Sequence, residues 1–333
     1  MTVRAQVLAQ CVAEEARWRQ APGRNLVLLF DGTGNILGNA QDTNVVKLLR
    51  AIDKRVPRDP HRPTQVVYYD PGVGSANDFP TVGLAARLGQ SMARLQGLAL
   101  GSGAFENIAQ SYEFLVREWR EGDRLWLFGF SRGAFTARAV AGMVNMFGLV
   151  QVPGLALLRR LVRVYFGRPS AARTRFAREV VDEFALGRQP LVHFTGVWDT
   201  VETIGSGLLG GLRITNSRDF EDKRFVHVRH ALALDETRSK YRPRDYVPPT
   251  FTPEEERHRS FDQRWFRGAH ADVGGGYARS GLSEVALAWM LREAQACGLR
   301  LEPPADLRPD PASPRHDPAL DCPFWVWTGL SRR

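Results

Sequence analysis

Lysine is scarce in this chain. Lys47, Lys54, Lys223 and Lys240 are its only lysines among 45 basic residues, so the formal charge of +9 is carried almost wholly by arginine. The arginines are spread along the chain and form no basic tail, which reads as a solvated surface. A weak attraction to anionic lipid headgroups is the alternative. Neither a clustered basic face nor a nucleic-acid motif is visible, and no nucleic-acid partner is expected. Cysteine is scarce too. Cys11, Cys297 and Cys322 are far apart and odd in number, which excludes a disulfide framework and a CxxC metal pair. Long apolar runs are missing, and a stretch such as Leu26 to Phe30 cannot span a bilayer. Glu14, Glu15 and Arg17 stand where a signal peptide would need its apolar core. Synthesis in a reducing cytosol is expected, with any export needing a dedicated machine.

What is present is an ordinary globular composition, 44% hydrophobic and 24% charged over 333 residues, enough for one large domain with insertions. Residues 4–19 read as an amphipathic lead-in helix. NLVLLF at 25–30 is a short apolar run closed by the turn-forming DGTGN, which predicts a buried strand. Further strands are expected at 65–69, 124–128, 191–198, 225–234 and 264–267. Helices are expected at about 44–53, 105–119 and 283–297. Strands alternating with helices predict an α/β fold with a mostly parallel central sheet and helices on both faces. Residues 150–188 read as a helical cap insertion. The proline-rich stretch 302–318 reads as an extended linker to the final segment. The expected division is 1–24 lead-in, 25–301 catalytic domain and 302–333 linker and C-terminal segment.

The strongest motif is Gly129-Phe130-Ser131-Arg132-Gly133. As a bare pattern G-x-S-x-G is weak. Here it directly follows an apolar strand and directly precedes AFTARAVAGMVNMF, a good helix. That setting is what a nucleophile elbow requires: a sharp turn with glycine on either side, holding a serine hydroxyl clear of the sheet. The bland alternative is a βα turn whose serine merely caps the helix.

A serine hydroxyl needs a base, and the base needs an orienting carboxylate. Asp199 ends the apolar strand LVHFTGVW at its carboxyl end, where such sheets place their sites. Asp235, after FVHVRHALAL, is its main competitor. For the base, His270 lies in the glycine-dense WFRGAHADVGGGY. His193, His227 and His230 fall within strand patterns and read as structural; His258 and His316 stand in polar or proline-rich surroundings, and His61 precedes the serine. The oxyanion hole would take the N–H of Arg132 and a second donor, Gly32 or Thr33, from the loop after the first strand.

Two segments suit a lipid surface. In LALLRRLVRVYF at 155–166, Leu158 and Leu161 share an apolar face with arginines nearby, although apolar faces usually pack inward. Leu208 and Leu209 stand in the glycine-rich loop IGSGLLGGLRI. Peripheral membrane contact would follow. Two rival readings remain. One is a metal-dependent hydrolase or phosphatase with Asp31, Asp199, His270 and Asp272 as ligands. The other is a non-catalytic binding module. On the favoured reading, a serine hydrolase of acyl esters, no metal and no cofactor is needed.

The segments LVLLFDGTGN, GFSRGAFTARAVAGM, GVWDTV, VRHALALDETR and WFRGAHADVGGGY, in this order, resemble an α/β-hydrolase domain of bacteria and fungi. That family includes the first family of type VI secretion lipase effectors. The similarity runs from about Asn25 to Leu301. It implies the α/β-hydrolase fold, with Ser131, Asp199 and His270 as nucleophile, acid and base. It also implies phospholipase or related acyl-ester hydrolase activity, and secretion-system or immunity partners. The effectors commonly carry a further large C-terminal region, for which this sequence has only the proline-rich stretch and CPFWVWTGLSRR.

Overall fold

The computed structural model describes residues 2–32, 41–72, 100–151, 154–201, 222–238, 241–302 and 304–318. Six strands form one sheet: β1 (Asn25–Phe30), β2 (Gln65–Asp70), β3 (Arg124–Phe130), β4 (Val192–Trp198), β5 (Phe225–Ala233) and β6 (Ser260–Phe266). Their order is β2-β1-β3-β4-β5-β6, and every pairing is parallel. All six carboxyl ends therefore open onto one edge. The order reverses between β1 and β3, and the crevice outside that switch point is where open α/β sheets bind ligands.

The helices are α1 (Val3–Gln20), α2 (Asn44–Ala51), α3 (Leu100–Glu118), α4 (Arg132–Phe147), α5 (Leu155–Phe166), α6 (Ala171–Val180), α7 (His270–Gly274) and α8 (Gly281–Ala296). Two cores separate along the strands by simple alternation. Leu26, Leu28 and Phe30 of β1 face α3, α4 and α5, whereas Val27 and Leu29 face α2 and α8. Burial on both faces explains why this strand reads as a continuous apolar run. Order, parallel pairing and a serine turn between β3 and α4 make this an α/β-hydrolase architecture.

β6 differs from expectation, starting at Ser260 where the sequence suggested Arg264. It is an edge strand, largely half-exposed, and its polar residues hide it from an apolar-run criterion.

Helices α5 and α6 lie in the segment read as a cap, but α5 does not offer its apolar face to a lipid surface. Leu158 and Leu161 are both 0% exposed and pack in the core with Val162 and Tyr165. The lid role expected of these two leucines is thus corrected: an apolar stripe gains more against an adjacent helix layer than in water. Leu208 and Leu209 lie outside the described residues.

Residues 304–318 carry turns and no long helix, yet they do not hang free. Asp310 N donates to Gly281 O (3.0 Å), Arg267 donates to Pro311 O (3.1 Å), and Arg315 pairs with Asp235 (2.7 Å). His316 closes the strap through both its backbone N (2.9 Å) and its Nδ1 (2.6 Å) onto the Asp272 carboxylate.

Candidate active site

Ser131 follows β3 with φ 58° and ψ −118°, a backbone region that non-glycine residues seldom occupy. Close packing imposes this turn. A Cβ on Gly133 would stand 2.1 Å from Phe30 O, and one on Gly129 would stand 2.4 Å from Gly133 O. Only glycine on either side lets α4 turn back this tightly against β1 and β3. Ser131 N donates to Trp198 O (3.1 Å) and its carbonyl accepts from Phe135 N (3.2 Å). The hydroxyl makes no capping bond, so it is not spent on the helix.

Asp199 follows β4 and is fully buried, also at positive φ, 37°. Its N–H donates to Ala231 O (2.7 Å), and its Oδ1 accepts from Ala233 N (2.9 Å). The other oxygen, Oδ2, lies 2.7 Å from His270 Nδ1. Both strand-end bonds reach into β5, so sheet register aims the carboxylate.

His270 opens α7, just beyond β6, and is 5% exposed. Its ring lies against Phe130 (centroids 4.6 Å) and edge-on to Tyr241 (4.9 Å). Its N–H donates to Glu236 Oε2 (3.2 Å), and Asp272 Oδ2 accepts from Ala269 N (3.0 Å) at the head of the same helix. With Nδ1 on the carboxylate, Nε2 is left buried with no hydrogen-bond partner. A carboxylate on one ring nitrogen and a vacant acceptor on the other is the arrangement of a general base.

Asp235, the competing acid, serves elsewhere. Its Oδ2 accepts from Gly268 N (2.7 Å) and its Oδ1 pairs with Arg315, bracing the loop that carries His270. His227 and His230 lie in β5, where burial pushes both imidazoles down to about 3. Burial likewise depresses His193 in β4 well below its ordinary value.

The oxyanion donors divide. Arg132 is the first helical residue of α4, and a first-turn N–H has no intrahelical acceptor. The Gly32 N–H is taken by the Asp31 carboxylate (2.6 Å), which corrects its expected role as a free donor. Thr33 lies outside the described residues. Asp31 also accepts from Thr43 Oγ1 (2.9 Å) and Tyr69 OH (2.9 Å). It anchors the loop after β1; burial and this carboxylate together hold the Tyr69 phenol far above its ordinary range.

Of the four groups of the metal reading, Asp199 and His270 bond each other, Asp31 bonds Thr43 and Tyr69, and Asp272 bonds His316. Among the described residues no group of three or more His, Cys, Asp or Glu side chains is placed to hold a metal ion.

A family model described as "T6SS, Phospholipase effector Tle1-like, catalytic domain" matches residues 24–293. The chain belongs to this Tle1-like family. An uncharacterized protein of Saccharomyces cerevisiae is 30% identical over 249 residues, covering 69% of this chain and 34% of that protein. A crystal structure of an uncharacterized protein from Pseudomonas aeruginosa aligns at TM-score 0.49 and 19% identity, over 90% of this chain and 50% of that one. The Tle1 effector, solved bound to the VgrG spike of the type VI secretion system, aligns at TM-score 0.41 and 19% identity. That alignment covers 77% of this chain and 52% of the effector. The chain thus spans about a third of the yeast relative and half of each of these structures.

Sequence reasoning missed three supports of the His270 side chain and backbone. Phe130 and Tyr241 flank the His270 ring, and Glu236 receives its backbone N–H. Glu236 is fixed in turn by Arg238 (2.8 Å). Phe130 stood inside the elbow motif, and Gly274 carries a matching signal: a Cβ there would lie 1.9 Å from the Phe130 ring. Tyr241 had no motif to mark it.

Proposed function

We propose that this chain is a serine hydrolase cleaving acyl esters of phospholipids through Ser131, His270 and Asp199. The observation that carries the reading is the His270–Asp199 bond of 2.7 Å with Nε2 left unpartnered, together with a strained serine after β3 on the same edge of the sheet. In this reading Ser131 Oγ attacks the ester carbonyl while His270 Nε2 takes its proton. Asp199 holds the imidazole tautomer and stabilises the imidazolium. The tetrahedral oxyanion accepts the Arg132 N–H and a second donor from the loop after β1. His270 then returns the proton to the departing alcohol, and water releases the acyl group from Ser131 by the same steps in reverse.

The lipid substrate is supported by membership in a family described as phospholipase effectors. Delivery by a type VI secretion system, with a spike protein as partner, is the matching proposal for location. Among the described residues no helix is long and apolar enough to cross a membrane.

A fluorophosphonate probe tests the chemistry, followed by a panel of short-chain esters and phospholipids. Labelling at Ser131 with fatty-acid release is the expected result. An unlabelled, chelator-sensitive enzyme would return the reading to metal-dependent hydrolysis.

A further inference from the structure

Arg132 follows the proposed nucleophile, and its side chain is only partly exposed. Four other buried arginines each have a carboxylate: Arg238 has Glu236, Arg229 has Glu293, Arg259 has Glu255 and Arg300 has Asp53. Arg138, on the same helix, donates to Arg244 O and lies 3.8 Å over the Tyr246 ring. Arg132 makes no ion pair with any described carboxylate. Burial pulls its pKa down, with a smaller opposing effect from Tyr241. A cation withdrawn from water without a counter-charge is unfavourable unless something else supplies one.

The surroundings favour an anion as well. Arg132 begins a 16-residue helix with no acid in its first turn and no side-chain cap, so the positive end of the helix dipole is uncompensated there. Tyr241 meets the His270 ring on one side and carries the Arg238 guanidinium 3.8 Å over its ring. Arg238 is already neutralised by Glu236 (2.8 Å). Among the described residues Arg132 is thus a positive charge without an ion pair, on the same edge as the unpartnered His270 Nε2.

We propose that the Arg132 side chain is a specificity-determining residue that binds a negatively charged group beside the scissile ester, a phosphodiester, leaving its backbone N–H to the oxyanion. This deepens the serine-hydrolase reading and rests on it. A guanidinium fork matches two phosphate oxygens, and the anion supplies a counter-charge that no described carboxylate provides. The competing role, direct stabilisation of the oxyanion by the guanidinium, would be blind to substrate charge.

The test compares the wild-type chain with Arg132→Gln and Arg132→Met on two monomeric substrates with the same acyl chains. One is dihexanoyl-phosphatidylglycerol below its micelle concentration, the other neutral dihexanoylglycerol. The ratio of kcat/KM, phospholipid over neutral ester, is expected to fall about 10- to 100-fold in both variants, mainly through KM, as when a hydrogen bond to a charged group is lost. Fluorophosphonate labelling of Ser131 certifies that each variant is folded. An unchanged ratio in labelled variants, including equal loss on both esters, overturns this proposal alone. A wild-type chain that is unlabelled and inactive on both esters overturns the hydrolase reading and this inference with it.

Discussion

Ser131 and Asp199 occupy neighbouring strand ends, both with left-handed backbone, and the Ser131 N–H donates to the carbonyl of Trp198, the residue before the aspartate (3.1 Å). Two non-glycine residues at φ 58° and 37° store strain of order 1–3 kcal/mol each. The hydrogen bond ties the two strained turns together. Serine and carboxylate are thereby positioned by the same pair of parallel strands, β3 and β4.

Strain and chemistry separate at Ser131. Ser131→Ala is expected to lower ester turnover by about a thousandfold or more and to abolish probe labelling. Ser131→Gly should be equally inactive but more stable than the alanine variant, by about 1 kcal/mol, because glycine accepts φ 58° without cost. Urea unfolding of the two inactive variants measures the difference; an alanine variant with near-normal turnover refutes the nucleophile.

The acid and base should behave as a unit. His270→Ala is expected to match Ser131→Ala in severity, and the double variant should be little worse than either. Asp199→Asn keeps an oxygen for Ala233 N but presents the wrong partner to His270 Nδ1, so a loss approaching 10⁴ is expected. Asp235→Asn should instead loosen the histidine loop and cost far less. Kinetics on a soluble ester rank the four single variants and the double, and a more damaging Asp235→Asn would reassign the acid.

Glycine space predicts two different penalties. Gly133→Ala drives a Cβ to within 2.1 Å of the Phe30 carbonyl. It should cost more than about 3 kcal/mol or prevent folding. Gly122 has φ +93° with nothing within 4 Å of a Cβ, so Gly122→Ala should cost only about 1 kcal/mol. Chemical denaturation of both tests whether backbone packing, and not φ alone, makes the elbow.

Leu158 distinguishes core from lipid surface. Because it is fully buried, Leu158→Ala should lower stability by about 2–5 kcal/mol. Activity per folded molecule on vesicles and on soluble esters should be preserved alike. A variant of normal stability with selectively weaker vesicle hydrolysis would restore an interfacial role for α5.

Acid sensitivity should trace in part to His230. Burial holds this imidazole at about 3, below the ordinary 6.5, so the unfolded chain binds a proton that the folded chain refuses. Its stabilising contribution is complete above the unfolded value and is lost as pH falls towards 3, at about 1.4 kcal/mol per pH unit. His230→Gln should therefore lose less stability than wild type between pH 7 and pH 5, by about 1–2 kcal/mol. Unfolding curves at the two pH values check it, and parallel losses would count against the burial argument.

The sequence by itself determined the sheet strands with strong apolar runs, the elbow at Ser131 and its glycines, because these depend on periodicity and backbone sterics over a few residues. It also favoured Asp199 over Asp235, both after strands, but could not show what either carboxylate bonds. That was tertiary: the bond from Asp199 to His270 joins residues 71 positions apart and depends on the register of β4, β5 and β6. Tertiary packing alone also turned Leu158 and Leu161 inward and committed the Gly32 N–H to Asp31. Among the described residues it left Arg132 without an ion pair, whereas Arg229, Arg238, Arg259 and Arg300 each found a carboxylate. Local periodicity shows which face of a segment is apolar, but what that face or charge meets is decided by neighbours brought together only when the sheet closes.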